Sequence, residues 1–142
     1  MRHQERAVLD LVETLKALRN DVSVVVHLYK QLYDATLIAI VQPGTEKSLT
    51  AMAFLSYDTE SGIRELPLFS SIEAVNDFHA APPDAILVSM TGSVLWPRLL
   101  EVLPEDDSCQ AAVDPIRDHG IRLTYAMVLG MVGQYGGEPS AA

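Results

Sequence analysis

The densest group of polar side chains in this sequence lies in the segment VDPIRDHGIRL, residues 113–123. It contains two acids, two arginines and a histidine: Asp114, Asp118, Arg117, Arg122 and His119. All of these except Asp118 are candidate binding residues, because the segment forms a loop after a predicted strand, where binding residues often lie. A purely structural turn is the alternative interpretation, since Asp-Pro favours a turn and Gly120 can take a positive φ.

A serine pair, Ser70 and Ser71, directly follows the apolar stretch LPLF and is the second place where chemistry could occur. A serine nucleophile of the hydrolase type stands in a sharp elbow flanked by glycines, and this pair has no glycine beside it. Ser70 with Glu73 fits a capping box instead, in which both side chains accept hydrogen bonds from backbone N–H groups at the start of a helix. The spacing therefore predicts that Ser70 caps a short helix, and that Ser70→Ala lowers the melting temperature by a few degrees.

The chain contains no sequence motif for metal binding, thiol catalysis or nucleotide binding. No histidine is spaced from another histidine or cysteine as zinc ligands are. Cys109 follows acidic residues, whereas a reactive thiolate needs positive neighbours. The glycines near the C-terminus form neither a dinucleotide fingerprint nor a phosphate loop. We therefore expect no catalytic residue, no metal and no cofactor, and favour a non-enzymatic protein over an enzyme.

Charge and composition narrow the classes of partner. The formal net charge is −9, and ten acids but only two arginines lie between residues 58 and 107. Because phosphate binding needs clustered basic residues, we expect no nucleic-acid partner. The single cysteine permits no intrachain disulfide, and no apolar run approaches the roughly 20 residues of a membrane span. These features favour a cytoplasmic protein without a membrane partner.

Apolar periodicity and turn residues predict the elements that carry these side chains. Helices are predicted within residues 3–19, 21–33, 72–78, 91–106 and 125–134. Strands are predicted within residues 35–41, 48–57, 63–69, 85–90, 109–113 and 120–124. This order indicates a single α/β (α+β) domain over residues 1–135 and a disordered tail over residues 136–142. We expect a mixed sheet of about five strands with an antiparallel first half, two N-terminal helices, and further helices packed on the sheet.

Four segments in this order, LYKQLYDATLIAIVQPG, IRELPLFSSIEAVNDF, AILVSM and CQAAVDPIRDHGIRLT, resemble the N-terminal domain of the SseB-like family. The family occurs in bacterial proteins linked by name to enhanced serine sensitivity, and the resemblance covers about residues 8–124. Its most telling part is an apolar strand that ends in Phe, Thr or Ser, and Ser before a short helix, matched here by residues 66–73. The family commonly has Asn-Pro where Asp114 precedes Pro115 here. The resemblance implies no catalytic residue.

The leading functional hypothesis is a non-enzymatic protein-interaction or regulatory module, with a protein partner or self-association. The apolar stretch at residues 96–103 and the helix carrying Met127 and Met131 could offer an interface, although such residues also form cores. One alternative is a small-molecule-binding domain or an enzyme that uses the loop at residues 114–120, in which case Arg117 and His119 should line a concave pocket. A third hypothesis, suggested by the family name alone, is a type III secretion-associated accessory protein.

Overall fold

The computed structural model describes residues 11–13, 25–78, 83–117 and 119–136. Residues 11–13 are helical, and the remainder of the helix predicted at residues 3–19 lies outside the described residues, as does the predicted tail after residue 136. The α-helices with both ends described are α1 (Val25–Asp34), α2 (Ile72–Asn76), α3 (Gly92–Val102) and α4 (Tyr125–Tyr135). The strands are β1 (Thr36–Val41), β2 (Tyr57–Asp58), β3 (Arg64–Phe69), β4 (Ile86–Thr91), β5 (Cys109–Val113) and β6 (Ile121–Leu123). Within these ranges, none of the helices has both the length and the apolar character needed to cross a membrane.

The strands form one mixed sheet of six strands in the order β4-β1-β3-β5-β6, with β2 paired to the early part of β3. Strand β1 is antiparallel to both β3 and β4, β5 and β6 are antiparallel, and β3 and β5 are parallel. This arrangement confirms the predicted α/β domain with a mixed sheet and an antiparallel first half. Because β3 and β5 are parallel neighbours, their carboxyl ends meet at one edge of the sheet.

The prediction of a strand at residues 48–57 is largely wrong. The chain there forms a 3₁₀ turn at Leu49–Ala51, a single bridge from Phe54 to β1, and only then the two residues of β2. Hydroxyl groups supply local hydrogen bonds in this stretch, including one between Ser48 and Thr50 at 3.0 Å. Such local bonds compete with a strand ladder, so apolar content alone overestimated the strand.

The main core lies between one face of the sheet and helices α1, α3 and α4. Trp96 of α3 is fully buried there and donates its indole N–H to the carbonyl oxygen of Leu32 at 3.0 Å. Gly92 begins α3 against the end of α1 so closely that a Cβ atom would lie 2.0 Å from that same oxygen. Trp96, Leu99 and Leu103 therefore belong to the core, and the apolar stretch at residues 96–103 is mainly a packing surface.

Helix α2 covers part of the opposite face of the sheet. Its buried residues, Ala74 and Val75, pack with Phe69 of β3 and with Phe78 just beyond the helix. Phe69 and Phe78 meet edge to face, with ring centroids 5.2 Å apart. This smaller core fixes α2 directly after the end of β3, which is where the serine pair lies.

Candidate functional site

A pocket of about 290 Å³ opens at the edge where the carboxyl ends of β3 and β5 meet. Ser70 follows β3 directly and Asp114 follows β5 directly, so parallel pairing brings them together across 44 residues of sequence. Of the described residues, two apolar and five polar ones line the pocket: Val12, Ala74, Ser70, Ser71, Asp114, Arg117 and His119. Three of the four candidate binding residues, Asp114, Arg117 and His119, therefore lie in one pocket.

Asp114 is the centre of the hydrogen-bond network in this pocket, and it is 1% exposed. Its Oδ1 atom accepts from the backbone N–H of Ser70 at 2.9 Å. Its Oδ2 atom accepts from the Ser70 hydroxyl at 2.6 Å and lies 2.8 Å from Nε2 of His119. A carboxylate oxygen that faces Nε2 at this distance is placed to accept from the imidazole N–H. One buried carboxylate thus joins the end of β3 to the loop after β5.

The prediction that Ser70 caps the short helix is wrong by one position. Ser71 is the N-cap of α2, and its hydroxyl oxygen accepts from the backbone N–H of Ala74 at 3.2 Å. Ser70 is 5% exposed and donates to Asp114 instead. A charge-assisted bond to a buried carboxylate is stronger than a bond to a helix amide, which explains the exchange of roles. The cost of losing a cap, about 1 kcal/mol, therefore applies to Ser71.

The loop at residues 114–120 is a tight turn as well as a wall of the pocket. Backbone bonds run from the N–H of Arg117 to the oxygen of Asp114 at 3.0 Å, and from the N–H of Gly120 to the oxygen of Arg117 at 2.9 Å. Asp114, with φ 50°, takes the left-handed conformation that was expected of Gly120. A Cβ atom at Gly120 would lie 2.4 Å from the Asp114 oxygen, so glycine is needed there for close approach.

Arg117 links this loop to the end of α2. Its Nη2 atom forms an ion pair with Oδ2 of Asp77 at 2.7 Å, and about a third of the arginine side chain is exposed. Its Nε atom is buried, and no acceptor for it is found among the described residues. An unpaired buried N–H carries a desolvation cost of about 1–3 kcal/mol. Because this atom has almost no accessible surface, a ligand in the pocket would not reach it.

Arg122 is not among the residues that line the pocket. It lies on β6, and its Nε atom donates to the buried carboxylate of Glu65 near the start of β3. Tyr57 donates its hydroxyl to the other oxygen of Glu65 at 2.6 Å. Burial, reinforced by this carboxylate, strongly raises the pKa of Tyr57. These three residues form a separate cluster toward the opposite end of β3, and Asp118 falls outside the described residues.

A larger pocket of about 450 Å³ lies between the end of β1 and the start of β4. It is lined by Ile40, Val41, Gln42, Pro43, Leu55, Asp84 and Ala85. Its side chains with polar groups, Gln42 and Asp84, are exposed rather than held in a buried network. We favour the smaller pocket as the candidate site because polar groups from two chain segments converge on it.

Comparison with known proteins locates this pocket within a family domain. The family model described as the SseB protein N-terminal domain matches residues 11–128, which is most of the chain. Neither a curated protein nor a solved structure matches this chain. The matched range includes the junction of β3 and α2 and the whole loop at residues 114–120. The described residues that line the pocket therefore all lie inside the matched range.

Proposed function

Because this chain belongs to the family of SseB N-terminal domains, we propose that it is a non-enzymatic, regulatory binding module whose site is the pocket at the carboxyl ends of β3 and β5. The observation that carries the proposal is the convergence of Ser70, Asp114 and His119 in a buried network beside a pocket. Ligands of open α/β sheets commonly bind at the carboxyl ends of parallel strands. A volume of about 290 Å³ suits a small molecule or one side chain of a partner.

The order of the three polar residues supports binding over nucleophilic catalysis. In a catalytic triad the imidazole lies between the serine and the carboxylate and removes the serine proton. Here the carboxylate of Asp114 lies between Ser70 and His119, and both donate to the same oxygen. Among the described residues, the Ser70 hydroxyl therefore donates to a carboxylate and not to an imidazole that could act as its base. Such an arrangement holds the pocket wall in place.

Metabolite capture from a cell extract tests this proposal. Ala74 lines the pocket, so Ala74→Leu should fill part of it, while Asn76→Leu places the same leucine side chain at an exposed position of the same helix. Immobilised wild-type protein and the Asn76→Leu variant should enrich the same small molecule, detected by mass spectrometry, and Ala74→Leu should lose it. Circular dichroism checks that all three proteins are folded. Identical enrichment by the three folded proteins would refute the site.

A protein partner that covers the same pocket is the second candidate, and two exposed isoleucines next in sequence to pocket-lining residues favour it. Ile72 follows Ser71 and is 48% exposed, and Ile116 precedes Arg117 and is 50% exposed. Arginine is enriched at interface centres, and the exposed apolar side chains beside it would be buried by a partner. A partner held by these two isoleucines should be retained by Leu129→Asp, which alters an equally exposed residue of α4, and lost by Ile116→Asp. Quantitative affinity capture compares the two variants.

A further inference from the structure

The outer edge of β4 carries none of the usual protections of a sheet edge. β4 is the terminal strand of the sheet, and among the described residues no strand pairs with its outer side. Its six residues, Ile86–Thr91, include no charge and no proline, and all six pair one to one with β1 without a bulge. Natural sheets protect their edges with lysine, proline, bulges or very short strands. We infer that this edge pairs antiparallel with β4 of a second copy of the chain, an inference that goes beyond the pocket and does not depend on it.

The other outer strands of the same sheet show the protection that β4 lacks. β6 ends the sheet on the opposite side, has three residues, and carries Arg122 in the middle. β2 has two residues, one of them Asp58. Short length and charge keep such strands from pairing with another molecule. The long, uncharged edge is therefore particular to β4.

The backbone groups that face outward from β4 follow from its ladder with β1. In an antiparallel ladder, two paired residues either bond to each other or both point away from each other. Ile40 pairs with Leu87, and the Ile40 carbonyl oxygen accepts from the N–H of Leu55 at 2.8 Å, on the other side of β1. Leu87 therefore points its N–H and carbonyl groups outward, and the alternation assigns Ser89 and Thr91 to the same side. These are also the exposed residues of the strand.

The outward groups restrict how two copies of β4 can pair. Two-fold symmetry is the commonest symmetry of protein dimers, and it makes each strand antiparallel to its copy. A two-fold axis at Val88 places Leu87 opposite Ser89 of the second copy, so that their outward N–H and carbonyl groups bond to each other. An axis at Ser89 also matches the outward groups. The side chains decide between these two registers.

Apolar side chains favour the axis at Val88. On the face of the sheet that carries the main core, this axis places Ile86 opposite Met90 of the second copy, and Val88 opposite its own copy. All three side chains are half-buried in the single chain, so pairing covers apolar surface that each copy leaves partly exposed. The axis at Ser89 would instead place Ile86 opposite Gly92, which has no side chain to contact.

The charges beside β4 also fit a second copy in this register. Asp84 precedes β4, is exposed, and forms no ion pair with a described residue. Helix α3 has no acidic residue in its first turn, and its N-cap, Thr91, makes no side-chain capping bond. The axis at Val88 places Asp84 opposite Gly92 of the second copy, where α3 begins. An acid at the positive end of a helix is stabilising, and the symmetry supplies this contact twice.

Sedimentation equilibrium tests for the dimer. A contact of one six-residue strand per copy belongs to the small interfaces, below about 1,200 Å², that associate weakly. The wild-type protein should therefore convert reversibly from monomer to dimer between about 10 μM and 1 mM. Salt at about 0.15 M limits repulsion between the acidic copies to about 8 Å.

Two matched lysine variants locate the interface. Leu87→Lys places a charge on the outward edge of both strands and should raise the dissociation constant about tenfold. Leu129→Lys makes the same change at a leucine of α4 with similar exposure, 50% against 43%, and should leave the constant unchanged. Circular dichroism checks that both variants are folded. Equal dissociation constants for the two variants overturn the assignment to β4.

Two cysteine variants test the register, each with Cys109→Ala to remove the native thiol. Paired residues that do not bond to each other have Cα atoms about 4.5 Å apart, which a disulfide can span, so Val88→Cys should form a covalent dimer on air oxidation. Ser89→Cys would face its copy diagonally, at about 7–8 Å, and should cross-link more slowly. Random collisions predict the reverse order, because Ser89 is the more exposed of the two. Faster cross-linking of Ser89→Cys overturns this pairing.

Hydrogen exchange identifies what covers the edge. The N–H groups of Leu87 and Ser89 should exchange fast at low protein concentration and become protected as the dimer forms. A wild-type protein that stays monomeric up to about 1 mM overturns the inference. Protection of these two groups in such a monomer would assign the edge to another segment of the same chain instead.

Discussion

Replacing Asp114 with alanine tests whether the buried network joins the two halves of the site. The substitution removes three hydrogen bonds and leaves the backbone N–H and hydroxyl of Ser70 and the Nε2–H of His119 without their acceptor. Breaking a buried charged cluster by removing one partner costs about 3–5 kcal/mol. Alanine also tolerates the φ of 50° less well than aspartate, at a further cost of about 1 kcal/mol. We expect a total loss of about 4–6 kcal/mol in the free energy of unfolding.

Asp107 supplies a matched control for the backbone part of this loss. It also has a positive φ, 62°, and among the described residues its side chain accepts one hydrogen bond, from the backbone N–H of Tyr125 at 2.9 Å. Asp107→Ala should therefore cost about 2 kcal/mol, one for the conformation and one for the bond. The excess for Asp114→Ala, about 2–4 kcal/mol, measures the buried network.

Urea unfolding measures both variants against the wild-type protein. Far-UV circular dichroism reports the helices and strands, and fluorescence of the buried Trp96, the single tryptophan, reports the core. Coincident transitions with an unchanged slope allow the free energies to be compared directly. Asp114→Asn, which keeps the volume and one acceptor oxygen, remains measurable if the alanine variant does not fold. A loss for Asp114→Ala no larger than that for Asp107→Ala would refute the view that this network holds the site together.

Two further predictions concern packing and thiol chemistry. Gly92→Ala should lower the free energy of unfolding by about 3 kcal/mol, because the new Cβ atom would press on the backbone of Leu32. Gly133→Ala should raise it by about 0.5–1 kcal/mol, since this position of α4 is exposed and has open space around it. Urea unfolding in which both substitutions change stability in the same direction contradicts this prediction. Burial raises the pKa of the Cys109 thiol, so at pH 8 its thiolate fraction is lower than that of free cysteine, and iodoacetamide should alkylate it more slowly. Equal rates for Cys109 and free cysteine would show that the thiol is not shielded in solution.

Local sequence patterns predicted most of the helices and strands, because the spacing of apolar residues indicates which side chains are buried. Apolar runs identified β1, β3, β4 and β5, and helical spacing identified α1, α3 and α4. The failure at residues 48–57 has a physical cause, since hydroxyl groups there bond locally and divert an otherwise apolar stretch from the sheet. Periodicity measures burial, and it does not measure this competition for backbone hydrogen bonds.

The candidate site was predictable only where its residues share one loop. Asp114, Arg117 and His119 stand within six residues, and their density alone indicated a candidate. Ser71 and Ala74 join them only through the parallel pairing of β3 and β5, which no local pattern specifies. Arg122 and His119 are close in sequence, but Arg122 lies on β6 and pairs with Glu65 instead.

The exchange of roles between Ser70 and Ser71 links the stability of this region to the polar groups that it would present to a ligand. A capping box would have used Ser70 within its own helix, whereas Asp114 draws it to the neighbouring strand and leaves the cap to Ser71. The same exchange leaves the Ser71 proton free at the pocket wall and fixes His119 with Nε2 toward the carboxylate. The buried bonds therefore decide which polar atoms remain for a ligand. A change at Asp114 should thus alter binding through the orientation of Ser71 and His119, even if the ligand never contacts the carboxylate.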